Sequence, residues 1–253
     1  MVIKDTPLLI DCHAHIWDGR FEEDKQEIVA ACRRYPIERV CVSGLGVYQP
    51  DQEEIERLNL ETFRFMKEEP DLIRGFCTLN PTLAGSLTEL RTCIEDRAMS
   101  GLKLWVATFC DDPLVNPLVE YCIRQDIPVL LHAWHKAIGQ LPFETRAVHI
   151  ASLAQRYPEA RLIMAHLSGN CQHELKIIQP FDNVVTDFSG TIFRNGDLAY
   201  AIRLLGPERV LFGSDMPGAN LLVSWGQVED IDLSSQDKSL ICWGNARRII
   251  PGL

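Results

Sequence analysis

Short apolar segments recur along the whole chain, and each is followed by a stretch in which apolar residues repeat at helical spacing. Eight segments of four to eight residues are nearly continuous in apolar character. Segments of this length and pattern predict strands that are buried on both faces, as in a parallel sheet. The predicted strands are 8–11, 39–44, 73–80, 101–106, 128–133, 161–166, 183–189 and 209–215.

The stretches between these strands predict helices. The clearest is 51–69, which has apolar residues at helical spacing and ends before Pro70. The other predicted helices are 22–35, 86–98, 114–125, 143–157, 171–179, 196–205 and 236–250. Alternation of this kind, in units of about 30 residues, is typical of a (β/α)8 TIM barrel. We therefore expect a single domain of the α/β class over residues 1–253.

A doubly wound open sheet is the alternative fold. It would bind phosphate at a glycine-rich turn after its first strand. The segment "GLG" at 44–46 is not followed by a third glycine at the required spacing. No linker or shift in composition separates two domains, so the barrel is the better interpretation.

Composition and charge restrict the class of partner. The chain is 46% hydrophobic and 24% charged, and its formal net charge is -10. This charge argues against nucleic acid or an anionic membrane as the main partner. No segment reaches the roughly 18 apolar residues that span a bilayer. A small molecule is the expected partner.

The nine cysteines predict a reducing environment. Their number is odd and no CxxC pair occurs. This pattern predicts buried free thiols and not a disulfide framework or a zinc knuckle. We therefore expect a cytoplasmic protein.

Polar residues gather where the predicted strands end. In a barrel, the carboxyl ends of the strands form the rim that carries the active site. Four of the seven histidines fall at such ends, together with aspartates and one lysine on the fourth strand. These residues are Asp11, His13, His15, Lys103, His132, His166, Asp187 and Asp215. His149 and His173 fall in predicted helices as surface residues, and His135 either touches substrate or lies in a solvated loop.

The spacing of His13 and His15 indicates a metal site. Residues two apart on a strand point to the same side, which in a closed barrel is the interior. Two imidazoles are costly there as plain core, but a divalent cation can use both as ligands. His132 and Asp215 from distant strands can complete a set with room for a water, as catalytic zinc requires. A lone HxH is a weak signal, and the joint arrangement carries the prediction.

At this point the chain resembles the amidohydrolase superfamily. The similarity is strongest to the amidohydrolase-related branch that includes aminocarboxymuconate-semialdehyde decarboxylase and many metal-dependent hydrolases. It extends over nearly the whole chain in order and spacing. The motifs are "IDCHAHI", "GLKLW", "PVLLHAW", "RLIMAHLSG", "RVLFGSDMP" and "GNARRI". The resemblance implies a (β/α)8 barrel that holds one or two divalent ions, usually zinc.

The resemblance also implies roles for single residues. His13, His15 and His132 match the histidine ligands of the first and fifth strands. Asp215 matches the aspartate that touches the metal and takes the proton from its bound water. His166 matches a histidine that is an acid/base or electrostatic aid in one-metal members and a ligand in two-metal members.

Lys103 leaves the number of metals open. Two-metal members carry on the fourth strand a lysine whose carbamate bridges the ions. The decarboxylase subgroup does not depend on that lysine, so an unmodified Lys103 near one metal is slightly favoured. An unmodified Lys103 can bind a substrate carboxylate as a point charge or be held neutral near the metal. TatD-like deoxyribonucleases share the HxH and the last aspartate, but the acidic residue expected on the fourth strand is absent here.

The function favoured at this stage is metal-dependent hydrolysis. A metal-activated water would attack an amide, lactone or other ester-like bond of a small substrate. The alternative is a non-oxidative metal-dependent decarboxylase, in which protonation replaces hydrolysis. A metal-free lactonase and a ligand-binding barrel without turnover are further alternatives.

Residues outside the metal set complete the predicted pocket. Trp17, Trp105 and Trp134 follow the first, fourth and fifth strands and can line a mouth for a flat or cyclic substrate. Packing of loops onto the rim explains them equally well. Arg194, after the seventh strand, is a candidate for binding a carboxylate or an ordinary exposed arginine. Short loops suggest a small substrate or a pocket that a neighbouring subunit of a homo-oligomer completes.

Overall fold

A computed structural model describes residues 8–191 and 194–253. The chain forms one eight-stranded sheet in which every neighbouring pair is parallel and the spatial order follows the chain. The strands are β1 (Leu9–Trp17), β2 (Ile37–Leu45), β3 (Ile73–Leu79), β4 (Gly101–Leu104), β5 (Val129–Leu131), β6 (Leu162–Met164), β7 (Val184–Asp187) and β8 (Val210–Leu211). All eight predicted strands are present, which confirms the α/β barrel.

Backbone hydrogen bonds join the first strand to the segment after the last one. Cys12 N donates to Phe212 O at 3.0 Å, and Asp215 N donates to His13 O at 2.7 Å. Ala14 forms a parallel bridge with Met216. The seam of the barrel therefore brings the HxH segment of β1 against the aspartate that follows β8.

Ten α-helices surround the sheet. They are α1 (Phe21–Arg34), α2 (Gln52–Glu68), α3 (Ser86–Arg91), α4 (Asn116–Arg124), α5 (Ala147–Arg156), α6 (Cys171–Ile178), α7 (Asp197–Leu205), α8 (Leu221–Asp230), α9 (Ser235–Ser239) and α10 (Asn245–Ile249) in the described residues. The start of α2 is fixed by Asp51, which accepts from Glu54 N at 2.9 Å while the Glu54 side chain accepts from Asp51 N.

Several helices differ from the prediction. The predicted helix 143–157 begins only at Ala147, because residue 144 is held in the preceding loop by side-chain hydrogen bonds. Helix α8 was not predicted, since the polar Ser224 lies in its buried stripe and Gly226 is a poor helix former in its middle. Asn220 caps α8 by accepting from Leu222 N at 2.9 Å. The predicted helix 236–250 is present as α9 and α10 joined by a π-helical turn.

Two strands also differ in length. β1 continues beyond the predicted 8–11 to Trp17, because His15 and Trp17 pair in register with Ser43 and Leu45 of β2. β8 ends at Leu211, and the residues up to Asp215 follow an irregular path with Asp215 at φ 65°.

The interior of the barrel is apolar below the candidate site. Seven strands contribute to one apolar cluster, which α10 closes through residues such as Ile249. The fourth strand contributes Lys103 instead, in register with Leu130 of β5. The cysteines are all free thiols, and eight of the nine are buried. No helix in the described ranges is both long and apolar enough to cross a membrane.

Candidate metal centre and substrate pocket

Two buried imidazoles of β1 turn the same nitrogen toward each other. His13 Nε2 lies 3.0 Å from His15 Nε2. His13 Nδ1 lies 2.9 Å from Asp187 Oδ2, and His15 Nδ1 lies 3.3 Å from the carbonyl oxygen of Ser43. A carboxylate and a carbonyl only accept hydrogen bonds, so each Nδ1 carries the proton. Two Nε2 lone pairs therefore converge without a proton between them.

A carboxylate oxygen completes this convergence. Asp215 Oδ1 lies 3.3 Å from His15 Nε2 and 3.8 Å from His13 Nε2. One ring nitrogen of His166 joins His13 and Asp215 in a group of possible ligand atoms within 4.8 Å of one another. Two lone pairs and an anionic oxygen at such distances form a group that attracts a cation. Imidazole nitrogen with carboxylate oxygen is a donor set that suits zinc and related divalent ions.

Burial keeps these imidazoles neutral. It lowers the pKa of His13 to about 3, with a further contribution from the charge of Lys103. The pKa of His15 is also lowered, again mainly by burial. Burial alone would raise the pKa of Asp215, but the close contact with His15 and the other nearby histidines hold it well below its ordinary value. Neutral imidazole and ionised carboxylate are the forms that bind a metal.

Asp187 organises the residues behind the centre. Its Oδ1 accepts from His166 N at 3.0 Å and from Ser189 Oγ at 2.6 Å, while Oδ2 faces His13 Nδ1. One buried carboxylate thus fixes the tautomer of His13 and the backbone that carries His166. The sequence places Asp187 at a strand end but does not assign this role.

His166 lies in a short left-handed segment. Residues His166, Leu167 and Ser168 have φ values of 62°, 48° and 53°. Such φ values are costly for residues other than glycine, by about 1–3 kcal/mol each. His166 Nδ1 donates to Ser189 O at 3.1 Å, so Nε2 of the neutral ring carries no proton. Gly190, at φ 100°, passes so close that a Cβ there would lie 2.8 Å from His166 Nδ1.

His132 lies beside this group, with its ring centre 5.2 Å from that of His166. Its Nε2 is 3.0 Å from Glu144 Oε1. Since an ionised Glu144 only accepts, Nε2 carries the proton and Nδ1 is the nitrogen left for a metal. The ligand role of His132 stays a prediction and applies to that atom. Glu144 was missed because the sequence pattern assigned it to a helix.

Lys103 is completely buried below the centre. Its Nζ lies 2.9 Å from His13 Nε2. Burial lowers its pKa to about 8. The choice between an unmodified and a carboxylated Lys103 stays a prediction.

A pocket of about 300 Å³ opens above these residues. Aromatic side chains line much of its wall, and the three predicted tryptophans are among them. The ring centres of Trp17 and Trp105 are 5.5 Å apart, and those of Tyr48 and Trp105 are 5.1 Å apart. The described lining residues are His15, Trp17, Leu45, Tyr48, Trp105, His132, Trp134, Lys136, Leu141, Glu144, His166, Thr191 and Asp215.

Arg194 is not among these lining residues. Its Nη2 donates to the carbonyl oxygen of Gly169 at 2.6 Å, and its Nε lies 3.4 Å from Asp197. It borders a separate surface depression next to α8. The predicted contact with a substrate carboxylate has no support in this geometry and stays a prediction.

A second group of metal-binding residue types lies outside the pocket. Glu174 Oε1 is 2.8 Å from His135 Nδ1 and 3.0 Å from His173 Nδ1. Arg146 Nη2 lies 3.2 Å from the same oxygen. The guanidinium already balances the buried charge of Glu174, so this group is stable as an ion pair without a metal.

Comparisons with known proteins identify the family and the fold. A family model described as amidohydrolase matches residues 10–252. The chain is similar to a gamma-resorcylate decarboxylase from Polaromonas sp. (strain JS666 / ATCC BAA-500). The two are 24% identical over an alignment of 235 residues that covers 72% of this chain and 71% of the relative.

Two solved structures share the fold. One is dihydroxybenzoic acid decarboxylase from Polaromonas sp. JS666 with bound manganese and the inhibitor 2-nitroresorcinol. Its TM-score is 0.78 at 21% identity, covering 96% of this chain and 97% of that one. The other is 5-carboxyvanillate decarboxylase from Novosphingobium aromaticivorans DSM 12444 with manganese and 4-hydroxy-3-methoxy-5-nitrobenzoic acid. Its TM-score is 0.79 at 15% identity, covering 95% of both chains.

Proposed function

The chain belongs to the amidohydrolase family, and from this premise we propose that it is a metal-dependent decarboxylase of small aromatic acids. Residues 1–253 act as one catalytic domain in this proposal. The observation that carries it is the donor set of His13, His15 and Asp215 at the floor of an aromatic pocket. The decarboxylase relatives support this chemistry over the hydrolysis that the sequence favoured.

We assign the metal to His13, His15 and Asp215, with Nδ1 of His132 as a further ligand. A bound divalent cation supplies a Lewis acid that draws electron density from a substrate oxygen. Zinc is the ion that the sequence resemblance implies, and manganese is the ion in the two solved relatives. Metal analysis of the purified protein distinguishes them.

The aromatic wall orients the substrate in this proposal. Trp17, Trp105 and Trp134 offer flat apolar surfaces that hold an aromatic ring and exclude water from it. The ring then lies with the carboxyl group that it loses toward the floor of the pocket. The pocket volume of about 300 Å³ suits a single substituted ring.

Asp215 and His166 are the residues that we assign to proton transfer and to hydrogen bonding with the substrate. The bond between the ring and the carboxyl carbon breaks, carbon dioxide leaves, and the ring carbon takes up one proton. Asp215 is ionised at rest because its pKa is lowered, so it first takes up a proton from solvent water and then passes it to the ring carbon; its side chain is 20% exposed to the pocket. His166, with Nδ1 held by Ser189 O, uses Nε2 to accept a hydrogen bond from a substrate hydroxyl.

An activity assay tests the proposal. Protein loaded with manganese or zinc is incubated with 2,6-dihydroxybenzoate and with 5-carboxyvanillate, and loss of the carboxyl group is followed by NMR and by carbon dioxide release. We expect turnover of at least one aromatic acid that depends on the metal. Absence of turnover on a panel of aromatic acids, with a metal bound, would contradict the proposal.

Hydrolysis is the second candidate, because the same donor set can activate water. Turnover of amides or lactones in place of aromatic acids would favour it. Activity in protein shown to be free of metal would point to the metal-free lactonase. A bound ligand without any turnover would point to a binding barrel.

A further inference from the structure

Lys136 stands on the wall of the pocket, in the loop after β5. Its side chain is 28% exposed. Its Nζ lies 2.7 Å from Glu144 Oε1 and 5.7 Å from the centre of the Trp134 ring. These two contacts hold a positive charge at a fixed place beside an aromatic surface.

Glu144 pairs with Lys136, and its two oxygens are shared among four donors. Its Oε1 accepts from Lys136 and from His132, and its Oε2 accepts from Gln140 Nε2 and from Leu141 N. The carboxylate is therefore saturated. An ammonium group has three N–H donors, and the described contacts of Lys136 Nζ use one of them. Two donors are left for a ligand.

The other positively charged side chains near the centre are not available to a ligand in the pocket. Lys103 is completely buried against His13, and Arg194 lies outside the lining residues. Among the described residues that line the pocket, Lys136 carries the one permanent positive charge. In a chain with a net charge of -10, such a local cation favours the approach of an anionic ligand.

We propose that Lys136 binds a second anionic group of the substrate, one that is not lost in the reaction. This inference rests on the proposed function and narrows its substrate class. The substrate is an aromatic ring with two acidic groups. One lies at the metal centre, and the other pairs with Lys136 at the wall of the pocket. Lys136 is a specificity-determining residue in this scheme.

Two nitrophenols test this role in manganese-loaded protein. Both 2-nitroresorcinol and 4-hydroxy-3-methoxy-5-nitrobenzoic acid carry adjacent hydroxyl and nitro groups, and the second also carries a carboxylate. Their dissociation constants are measured by calorimetry for the wild type, Lys136→Met and Lys136→Arg. Lys176→Met is the matched control, because it removes one exposed positive charge away from the pocket.

The expected result is selective. Lys136→Met raises the dissociation constant of the carboxylated probe by about tenfold, which is the scale of one charged hydrogen bond. The dissociation constant of 2-nitroresorcinol stays within about twofold of the wild-type value. Lys136→Arg retains most of the affinity, and Lys176→Met retains all of it.

Two other results would overturn the inference, and they differ. Equal weakening of both probes would mean that Lys136 acts only through Glu144 and His132. Failure of wild-type protein to bind either probe would overturn the proposed aromatic-acid pocket itself, and the role of Lys136 with it.

Discussion

At the scale of single residues, His13 and His15 matter through the nitrogen that each leaves free. Asp187 and Ser43 hold the two Nδ1 protons, so both Nε2 lone pairs face Asp215. Hydrogen bonds to the distal nitrogen commonly orient metal-binding imidazoles in this way. The arrangement predicts which side chains control metal affinity.

Replacement of His13 tests this first. We expect His13→Ala to weaken metal binding by more than about 100-fold, since loss of a ligand exceeds the loss typical for its supporting partners. Metal content is measured by elemental mass spectrometry after dialysis. His173→Ala is the control, because it removes an exposed histidine outside the pocket. Full metal retention in His13→Ala would show that the centre is misassigned.

In the proposed reaction Asp215 also transfers a proton, a role that is separable from metal binding. Asp215→Asn keeps the shape of the side chain but cannot deliver a proton. We expect turnover to fall by at least about 100-fold, as for loss of a general acid or base. A substantial part of the metal stays, because His13 and His15 remain. Near-normal turnover by Asp215→Asn, measured with the same aromatic acid, would remove it as the proton donor.

The sequence predicts some of these residues better than others. His13 and His15 are found because spacing by two on a strand fixes a common face. Glu144 is not found, because its partner His132 lies twelve residues earlier and only the path of the loop joins them. Lys136 is not found either, because nothing in the sequence pattern distinguishes it from an ordinary surface lysine.

At the scale of elements, the loops after β5 and β6 are tied to α5 and α6 through Glu174. Its Oε2 accepts from Ala147 N at the start of α5 at 2.8 Å, while Oε1 faces His135 and Arg146. Ser168, next to the left-handed turn of His166, donates to the same carboxylate. This one buried charge supports the loops that carry Trp134 and His166.

Acid should weaken this link. Burial alone would raise the pKa of Glu174, but the hydrogen bonds from Ala147 N, His173, Arg146 and His135 hold it below its ordinary value of 4.5. The stabilisation is therefore complete above about pH 4.5 and is lost as the pH falls through the lower folded value. We expect Glu174→Gln to lower the free energy of unfolding by about 2 kcal/mol at pH 7.

Urea unfolding between pH 7 and pH 3 measures this difference. The gap between wild type and Glu174→Gln should close as the pH falls below 4.5. Glu159→Gln is the control, since that side chain is exposed and outside this network. A gap that is independent of pH would show that the charge of Glu174 does not stabilise the fold.

At the scale of the whole molecule, the alternation of apolar segments was sufficient to predict the barrel. Eight buried strands of a parallel sheet have a distinctive pattern, and the chain order fixes their neighbours. Strand ends were less predictable. β1 runs on to Trp17 and β8 stops at Leu211, because pairing and the seam of the barrel decide these limits.

Metal should stabilise the entire barrel. A ligand that binds only the folded state adds about 2.7 kcal/mol at a hundred times its dissociation constant. We therefore expect manganese or zinc to raise the melting temperature of wild-type protein and a chelator to lower it. Calorimetry measures both shifts. His13→Ala should show neither, and an equal shift in that variant would place the stabilising ion elsewhere.

The seam between β1 and the segment after β8 has a consequence for biosynthesis. During translation, His13 and His15 leave the ribosome about two hundred residues before Asp215, which meets them only when Asp215 N bonds to His13 O. A partly made chain can present the imidazoles but not the complete donor set. Binding of the ion would then follow closure of the barrel. A chain that is incomplete or still open would not bind it, so the metal-loaded protein would always be fully folded.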